Sequence, residues 1–390
     1  MTLDPREVRS PKARAAAQLA QLHALCPETA QMADLSELAD LPVMRKDALC
    51  ASQADAPPLG ALRAQNVSHI FQSPGPIYEP GGLAPDYWRL GRFLRAMGIE
   101  AGSVVQNTFA YHFTPAGMMF ESAARAHGMT VFPAGPGNTA AQAEVAAAIG
   151  TTAYVGTPDY LATILEKGAE MGLDLARITH AAVSAGPLFP QMRQAYADRG
   201  ITCRQCYATA DAGLIAYESH DCTEGMIIDE DVIVEIVTPG TGTPVTEGEI
   251  GEVLVTVLNP DNPLLRFSTG DLSALMPAGD SPCGRTNRRI VGWRGRADQA
   301  AKVKGMFIRP EQVATLVARH AGVIRARVEV SRANGADHIA VLIEADGIDP
   351  DAFAASVQEI LKLRAKITLL APGALPRDGV VIADLRPIES

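Results

Sequence analysis

The chain has 390 residues, 47% of them hydrophobic and 20% charged, and a formal net charge of −10 at pH 7. This size and apolar content suit one large domain joined to a smaller one. The negative charge, without a sizeable basic cluster, argues against nucleic acid and anionic membrane surfaces as partners. No run of residues approaches the ~18–20 apolar residues of a membrane span, and the N-terminus lacks a secretory signal. Six cysteines without framework spacing are typical of reduced thiols, so we expect a soluble cytoplasmic protein.

The first two hundred residues predict an α/β domain. Residues 1–60 indicate helices joined by turns, and the first helix carries Leu19, Leu22 and Leu25 on or near one face. Helical patterns then alternate with short apolar, β-branched runs, which predicts a doubly wound, mostly parallel sheet. The predicted helices cover 85–98, 116–128, 139–150 and 158–172, and the predicted strands cover 103–109, 129–135, 152–157, 180–186 and 201–209.

The remaining chain changes in pattern twice. Alternating apolar residues between 226 and 275 predict a small antiparallel β unit attached to the α/β core. After Asp298 a separate αβ module follows, with a hairpin that turns at Asn334 and Gly335, a helix over 351–362 and a strand over 365–370. We therefore predict a large domain over residues 1–296 and a small C-terminal αβ domain over 298–390.

Ligands of a doubly wound sheet bind beyond the carboxyl ends of the strands. Gly- and Pro-rich loops follow the predicted strands at Gly75 and over 135–139, 185–187 and 207–213. These loops are the first candidates for a binding site.

Three short motifs near the C-terminal third carry the strongest functional signal. A Thr-Gly-Asp turn (269–271) precedes a Gly-Arg-x-Asp element (295–298), and a Lys-Gly pair follows at 304–305. Residues 34–49 add an apolar turn before a charged helix start. In order and spacing these segments resemble the adenylate-forming enzymes, and within them the phenylacetate-CoA ligase branch. Members of that family activate a carboxylate with ATP and transfer the acyl group to coenzyme A.

The resemblance implies an adenosine pocket. Asp271 and Arg296 would bind the ribose, and Asp298 would be the hinge of a mobile small domain. Asp211 would take the place of the glutamate that holds Mg²⁺. Residues that would surround the adenine are Ser184, Ala185, Gly186, Pro187 and Tyr207, the last by stacking.

The phosphate side departs from the family pattern. The segment from Ser73 to Pro80 aligns with a loop of glycines, hydroxyls and a lysine, and retains Gly75 but has Glu79 at the lysine position. Prolines remove backbone donors, and a phosphate cradle needs N–H groups and a cation. Exchanging attraction for repulsion at ~4 Å moves the interaction by several kcal/mol. The family's C-terminal lysine is also missing between Arg377 and Arg386. We therefore expect ATP-dependent adenylation to be weak or absent.

Segments that would serve coenzyme A and the acyl group are better retained. Lys304 and Gly305 match the family's turn beside the thiol tunnel, and Gly135 and Asn138 resemble a family loop near the substrate. His112 would orient a carboxylate or carbonyl as a catalytic residue, with Asp211 and Lys304. An aromatic cluster predicts either an acyl pocket or ordinary core packing; its members are Phe109, Tyr111, His112 and Phe113.

The cysteines leave two alternatives. Cys203 and Cys206 lie three apart in a predicted strand, so they point to opposite faces and do not share a metal. His220, Cys222 and Cys283 are candidate zinc ligands, because some family members carry a structural zinc between these regions. Buried free thiols are the alternative.

Three functions therefore remain open. The chain is an acyl- or aryl-CoA ligase with an atypical ATP site, an acyl-CoA-, CoA- or nucleotide-binding derivative that forms no adenylate, or a non-catalytic ligand-binding protein. Coenzyme A and AMP or ATP are the expected cofactors, with Mg²⁺ beside them. The expected partner is a small carboxylate or acyl-CoA, and a homodimer is a candidate assembly.

Overall fold

The computed structural model describes residues 3–73, 76–186, 188–279, 281–297, 301–303, 306–333, 336–376 and 380–386. The chain folds into two compact units. The first unit contains residues 1–249, 253–269 and 274–292, and the second contains 250–252, 270–273 and 293–390.

Two helices and a hairpin precede the main sheet. Helix α1 (Pro11–Leu25) begins where the Ser10 hydroxyl accepts from the Ala13 amide, and Leu22 packs in a core with Leu38 and Leu258. Leu19 and Leu25 pack against the same core, so the amphipathic N-terminal helix is confirmed. Helix α2 (Lys46–Asp55) is followed by strands β1 (Val67–Ser73) and β2 (Ile77–Gly82), which pair antiparallel.

The alternating region forms the predicted α/β sheet. Its helices are α3 (Gly91–Ala96), α4 (Ala116–Ala126), α5 (Thr139–Ile149), α6 (Pro158–Glu170) and α7 (Pro190–Ala197). Its strands are β3 (Val104–Asn107), β4 (Thr130–Pro133), β5 (Ala153–Gly156), β6 (His180–Val183), β7 (Thr202–Thr209), β8 (Gly213–Ser219) and β9 (Cys222–Ile228). With β13 (Arg289–Ile290) they form an eight-stranded sheet in the order β13-β9-β8-β7-β6-β5-β3-β4. The strands from β7 to β4 pair in parallel, whereas β7 to β13 pair antiparallel.

Both faces of this sheet are buried. On one face α3 and α4 supply Phe93 and Phe120 to a core that contains Cys206. On the other face α6 supplies Leu161 to a separate core that contains Cys203. Successive residues of one strand point to opposite faces, and so do residues three apart. The doubly wound arrangement and the divergent cysteines are therefore both confirmed.

Further strands complete the two units. Strands β10 (Val232–Val237), β11 (Gly251–Val257) and β12 (Leu264–Ser273) form a three-stranded sheet. The second unit has the pair β14 (Ala301–Val303) and β15 (Met306–Ile308), then helix α8 (Pro310–Arg319). Its four-stranded sheet has the order β18-β17-β16-β19, from β16 (Val323–Ala333), β17 (Ala336–Ala345), β18 (Lys366–Leu370) and β19 (Ile382–Asp384). Helix α9 (Pro350–Leu361) packs Phe353 into the core of this unit. The predicted hairpin is confirmed by the antiparallel β16–β17 pairing, and its turn residues Asn334 and Gly335 lie outside the described residues.

Two elements predicted from the sequence differ from the structure, one in its length and one in its type. The helix predicted over 85–98 is confined to α3, because Asp86 and Arg89 have positive φ angles and the Asp86 carboxylate accepts from the Gly91 amide. The Thr-Gly-Asp segment is not a tight turn, because β12 continues through it with Gly270 at φ +74°.

Candidate functional site

The carboxyl edge of the main sheet gathers several predicted residues. Ser184 follows β6, where its hydroxyl donates to the Cys206 carbonyl at 3.0 Å and its amide donates to the Gly156 carbonyl. Ala185 has φ +60°. A Cβ on Gly186 would lie 3.3 Å from the Pro158 ring, so the turn passes close to its neighbour. Pro187 lies outside the described residues.

Tyr207 lies on β7 and is only 9% exposed. It belongs to a core that contains Ile77 and Ile215, so much of its ring is committed to packing. The strand ends at Thr209, two residues before Asp211. The predicted loop over 207–213 is therefore shorter than expected, because its first three residues are strand.

Asp211 is part of an ion pair that involves a residue without a predicted role. The Lys46 ammonium at the start of α2 lies 3.2 Å from Asp211 Oδ2. It also lies 5.6 Å from the ring centroid of Phe267, within cation–π distance. Asp211 Oδ1 is buried and makes no hydrogen bond within the described part of the chain. Lys46 was available to sequence reasoning, since it stands in the signature segment 34–49.

The segment aligned with the phosphate loop is the β1–β2 hairpin. Ser73 is the last residue of β1 and pairs with Ile77, whereas Gly75 lies outside the described residues. Glu79 is on β2, opposite Phe71, and only 2% of its surface is exposed. Its carboxyl group therefore points into the protein and not from a loop tip.

Glu79 is a buried acid without a good hydrogen bond. Both of its oxygens are buried, and neither has a partner of good geometry among the described residues. Burial raises its pKa to about 7, and the charge of Asp211 adds to the rise, while Ser73 and Lys46 offset part of it. The expected fixed negative charge at Glu79 was therefore wrong below that pH, because desolvation favours the neutral acid.

The site offers one carboxylate oxygen to a metal ion. The free Asp211 oxygen suits Mg²⁺, which commonly takes one or two protein carboxylates and completes its shell with water and phosphate. The predicted zinc ligands do not fit a metal. His220 is exposed and bonded to Asp221 at 2.6 Å, while Cys222 is buried. Across the described residues no three metal-ligating side chains come together.

The second unit holds the predicted ribose residues together. Asp271 and Arg296 form a β-bridge, and Arg296 Nη1 lies 3.5 Å from Asp271 Oδ1. The Trp293 indole N–H donates to the same oxygen at 3.1 Å. Gly270 has φ +74°, a left-handed conformation that side chains rarely adopt, which explains the glycine of this motif. Trp293 was missed, although an aromatic residue just before the Gly-Arg motif was a usable signal. Asp298, Lys304 and Gly305 lie outside the described residues.

The predicted aromatic pocket divides into two parts. Phe109 stacks on Phe120 at 5.1 Å, and Tyr111 accepts a hydrogen bond from Asn107. Core packing, the alternative prediction, accounts for Phe109. His112 is exposed, and Phe113 is 71% exposed with φ +62°. The four residues therefore do not form one pocket.

The loop before α5 is held by a buried amide. Gln142 donates to the carbonyls of Gly135 and Gly137 at 2.7 and 2.6 Å, and Tyr160 donates to the second carbonyl. Asn138 adopts the left-handed conformation at the start of the helix. Gln142 was not predicted, because a polar residue in an Ala-rich helix has no distinctive sequence signal.

Sequence comparison identifies related enzymes. The chain is 28% identical over 392 residues to the phenylacetate-coenzyme A ligase of Aromatoleum evansii, spanning 91% of this chain and 87% of that protein. It is also 28% identical over 320 residues to the enzyme of the same name from Thermus thermophilus, spanning 74% of this chain and 72% of that protein. No protein-family model matches the chain.

Solved structures agree on the fold. A 2-hydroxyisobutyryl-CoA ligase in the postadenylation state, in complex with R3-HIB-AMP, superposes with a TM-score of 0.82 at 21% identity over 98% of this chain and 94% of its own. The amide bond synthetase McbA from Marinactinospora thermotolerans superposes with a TM-score of 0.61 at 17% identity, over 82% of this chain and 68% of its own. Relatives and structures together identify the chain as a homologue of the phenylacetate-CoA ligases with the fold of the adenylate-forming CoA ligases.

Proposed function

We propose that the protein is an acyl- or aryl-CoA ligase-like enzyme that binds a nucleotide and a carboxylic acid or its CoA thioester, and that forms an adenylate from ATP weakly or not at all. The observation that carries this proposal is the buried Glu79 carboxyl beside the Lys46–Asp211 ion pair. Glu79 stands on the hairpin that aligns with the phosphate loop, whereas Lys46 begins α2 and Asp211 follows β7.

Charge balance supports the proposal. Lys46 is already neutralised by Asp211 at 3.2 Å. Below a pH of about 7 the Glu79 carboxyl is neutral, and above it a second negative charge is added. The three side chains therefore supply no surplus positive charge in either state, whereas a triphosphate requires one. The missing C-terminal lysine removes a second cation from the same half-reaction.

Binding of nucleotide and CoA is the part of the activity we expect to remain. Asp271 and Arg296 would bind a ribose diol through the carboxylate and guanidinium that the second unit holds together. Mg²⁺ would be held by Asp211 and would neutralise phosphate charge when bound. Lys304 and Gly305 would lie beside the thiol of coenzyme A, as in the family. His112 would orient the acyl group. Both roles remain proposals.

Pyrophosphate release tests this function. The panel contains phenylacetate, other aryl acids and short-chain acids, with ATP, Mg²⁺ and CoA. Each lost donor to the charged transition state typically costs about 10²–10³ in rate, so we expect turnover far below ordinary ligase rates of about 1 s⁻¹ or more. Thermal shift with AMP, CoA and phenylacetyl-CoA should still show stabilisation. Ordinary turnover with any acid would overturn the proposal.

A complete ligase is the second candidate, and Lys46 is the observation that favours it. If Mg²⁺ paired with Asp211, the ammonium of Lys46 would become available to phosphate in place of the missing loop lysine. Lys46→Ala would then abolish pyrophosphate release, whereas Lys12→Ala at an exposed position would not. Activity that survives Lys46→Ala would exclude this role.

A further inference from the structure

Two cysteines from distant parts of the chain lie on either side of one hydroxyl group. The Ser281 hydroxyl is 3.5 Å from Cys222 Sγ and 3.1 Å from Cys283 Sγ. Cys222 is the first residue of β9, and Cys283 lies in the segment before β13. Cys283 packs against the core that contains Cys222. The two thiols are thus neighbours in the first unit.

Cys283 has the surroundings of a reactive thiol. It is partly exposed, so small reagents have access to it. The Ser281 hydroxyl lies 3.1 Å from its sulfur, and Arg285 follows two residues further along the chain. Arg285 is itself buried and is fixed by Glu7 at 3.2 Å. Reactive cysteines typically combine partial exposure with a nearby cation that favours the thiolate.

Cys222 has the complementary properties. It is 1% exposed, and its sulfur contacts Arg289 Nη1 at 3.8 Å and the Glu224 carbonyl at 3.9 Å. A buried thiol reacts slowly with external reagents, but it can attack an oxidised sulfur beside it.

We propose that Cys283 and Cys222 form a peroxide-sensitive thiol pair that closes into an intramolecular disulfide. The Cys283 thiolate attacks a hydroperoxide, the O–O bond breaks, and Cys283 becomes a sulfenic acid as the peroxide is reduced to water or an alcohol. The Cys222 thiol then attacks the sulfenic sulfur, an S–S bond forms and water leaves. Rotation of the Ser281 side chain on its partly exposed segment removes the hydroxyl that separates the two sulfurs.

The other cysteines lack this combination. Cys203 and Cys206 are buried on opposite faces of the sheet, and burial raises the pKa of each to about 12. Cys26 is buried, and burial also raises its pKa. Cys50 is partly exposed, with its thiol 3.3 Å from the Pro76 carbonyl. Cys50 therefore serves as a matched control for a partly exposed thiol.

Peptide mapping of the oxidised wild-type protein tests the pair. The reduced, full-length protein is treated with hydrogen peroxide, quenched, denatured and digested without reductant. We expect a Cys222–Cys283 disulfide-linked peptide and the loss of two of the six thiols. Wild-type protein that retains all its thiols, or in which Cys283 is oxidised without a Cys222 linkage, would overturn the proposal.

Variants assign the two roles. Cys283→Ser should abolish the loss of both thiols, Cys222→Ser should leave a sulfenic acid at Cys283 that a dimedone probe captures, and Cys50→Ser should still lose two thiols. Circular dichroism checks that each variant is folded. If Cys222→Ser does not fold, the presence or absence of the Cys222–Cys283 linkage in the wild-type protein decides the test. Thiol loss in folded Cys283→Ser equal to that of the wild-type protein would contradict the assignment of Cys283 as the reactive thiol.

Discussion

Glu79 shows how burial changes the chemistry of a single side chain. A charge at the tip of a phosphate loop would repel a nucleotide at all pH values above its ordinary pKa. On strand β2, however, the carboxyl is buried and its pKa rises to about 7, so its charge depends on pH near neutrality. The sequence shows which residue replaces the lysine, but not that the residue points inward, because that depends on the register of an unpredicted hairpin.

We expect Glu79→Gln to change how stability depends on pH. The folded state keeps the Glu79 proton between the ordinary pKa of 4.5 and about 7, where the unfolded state releases it. Its contribution is therefore fully present at low pH and is lost as the pH rises through about 7. A shift of this size corresponds to roughly 3 kcal/mol. In urea unfolding, the stability of Glu79→Gln relative to wild type should rise by up to that amount as the pH increases from about 5 to about 8.5.

Glu144→Gln is the control for this prediction, because Glu144 is an exposed glutamate on α5. Its stability relative to wild type should stay constant over the same pH range. A constant difference for Glu79→Gln as well would show that Glu79 ionises like an ordinary surface acid.

At the level of elements, local patterns predicted strands and helices well where both faces are buried. The strands β5 and β6 read as short apolar runs, and parallel pairing follows from the helices between them. The β1–β2 hairpin was not predicted, because residues 67–70 are exposed and carry no apolar alternation. The continuation of β12 through Gly270 also escaped prediction, because Asp271 pairs with Arg296 from a later part of the chain.

The loop before α5 depends on one helical side chain. Gln142 is 3% exposed, donates to the carbonyls of Gly135 and Gly137, and accepts from the Gln106 amide. Gln142→Ala would remove these bonds and leave buried polar groups without partners, at a cost of roughly 1–3 kcal/mol. We expect reduced stability in urea and faster amide hydrogen exchange over 134–139.

Gln191→Ala on α7 is the matched control, because Gln191 is exposed and also lies near a helix N-terminus. It should change neither stability nor exchange in the loop. Unchanged exchange in Gln142→Ala would mean that the glycines and Asn138 fix the loop by themselves.

For the whole molecule, each unit has its own hydrophobic core. Phe353, Val341 and Leu316 belong to a core of the second unit, whereas the cores on the two faces of the main sheet lie in the first. Separate cores are what a two-domain chain requires. The division is less simple than a single boundary, because 250–252 and 270–273 group with the second unit. Which unit these short segments join depends on strand pairing between distant parts of the chain, and no local sequence pattern predicts that pairing.

The boundary itself remains a prediction that limited proteolysis can test. We expect trypsin to cleave first near 296–305, because the sequence pattern changes there and Arg296, Lys302 and Lys304 supply cleavage sites. Cleavage there should give one large N-terminal fragment and one small C-terminal fragment, identified by mass spectrometry. A nucleotide that binds Asp271 and Arg296 should slow this cleavage, because it fixes the residues beside the cut. A protease-resistant chain with no cut there would contradict a mobile C-terminal domain.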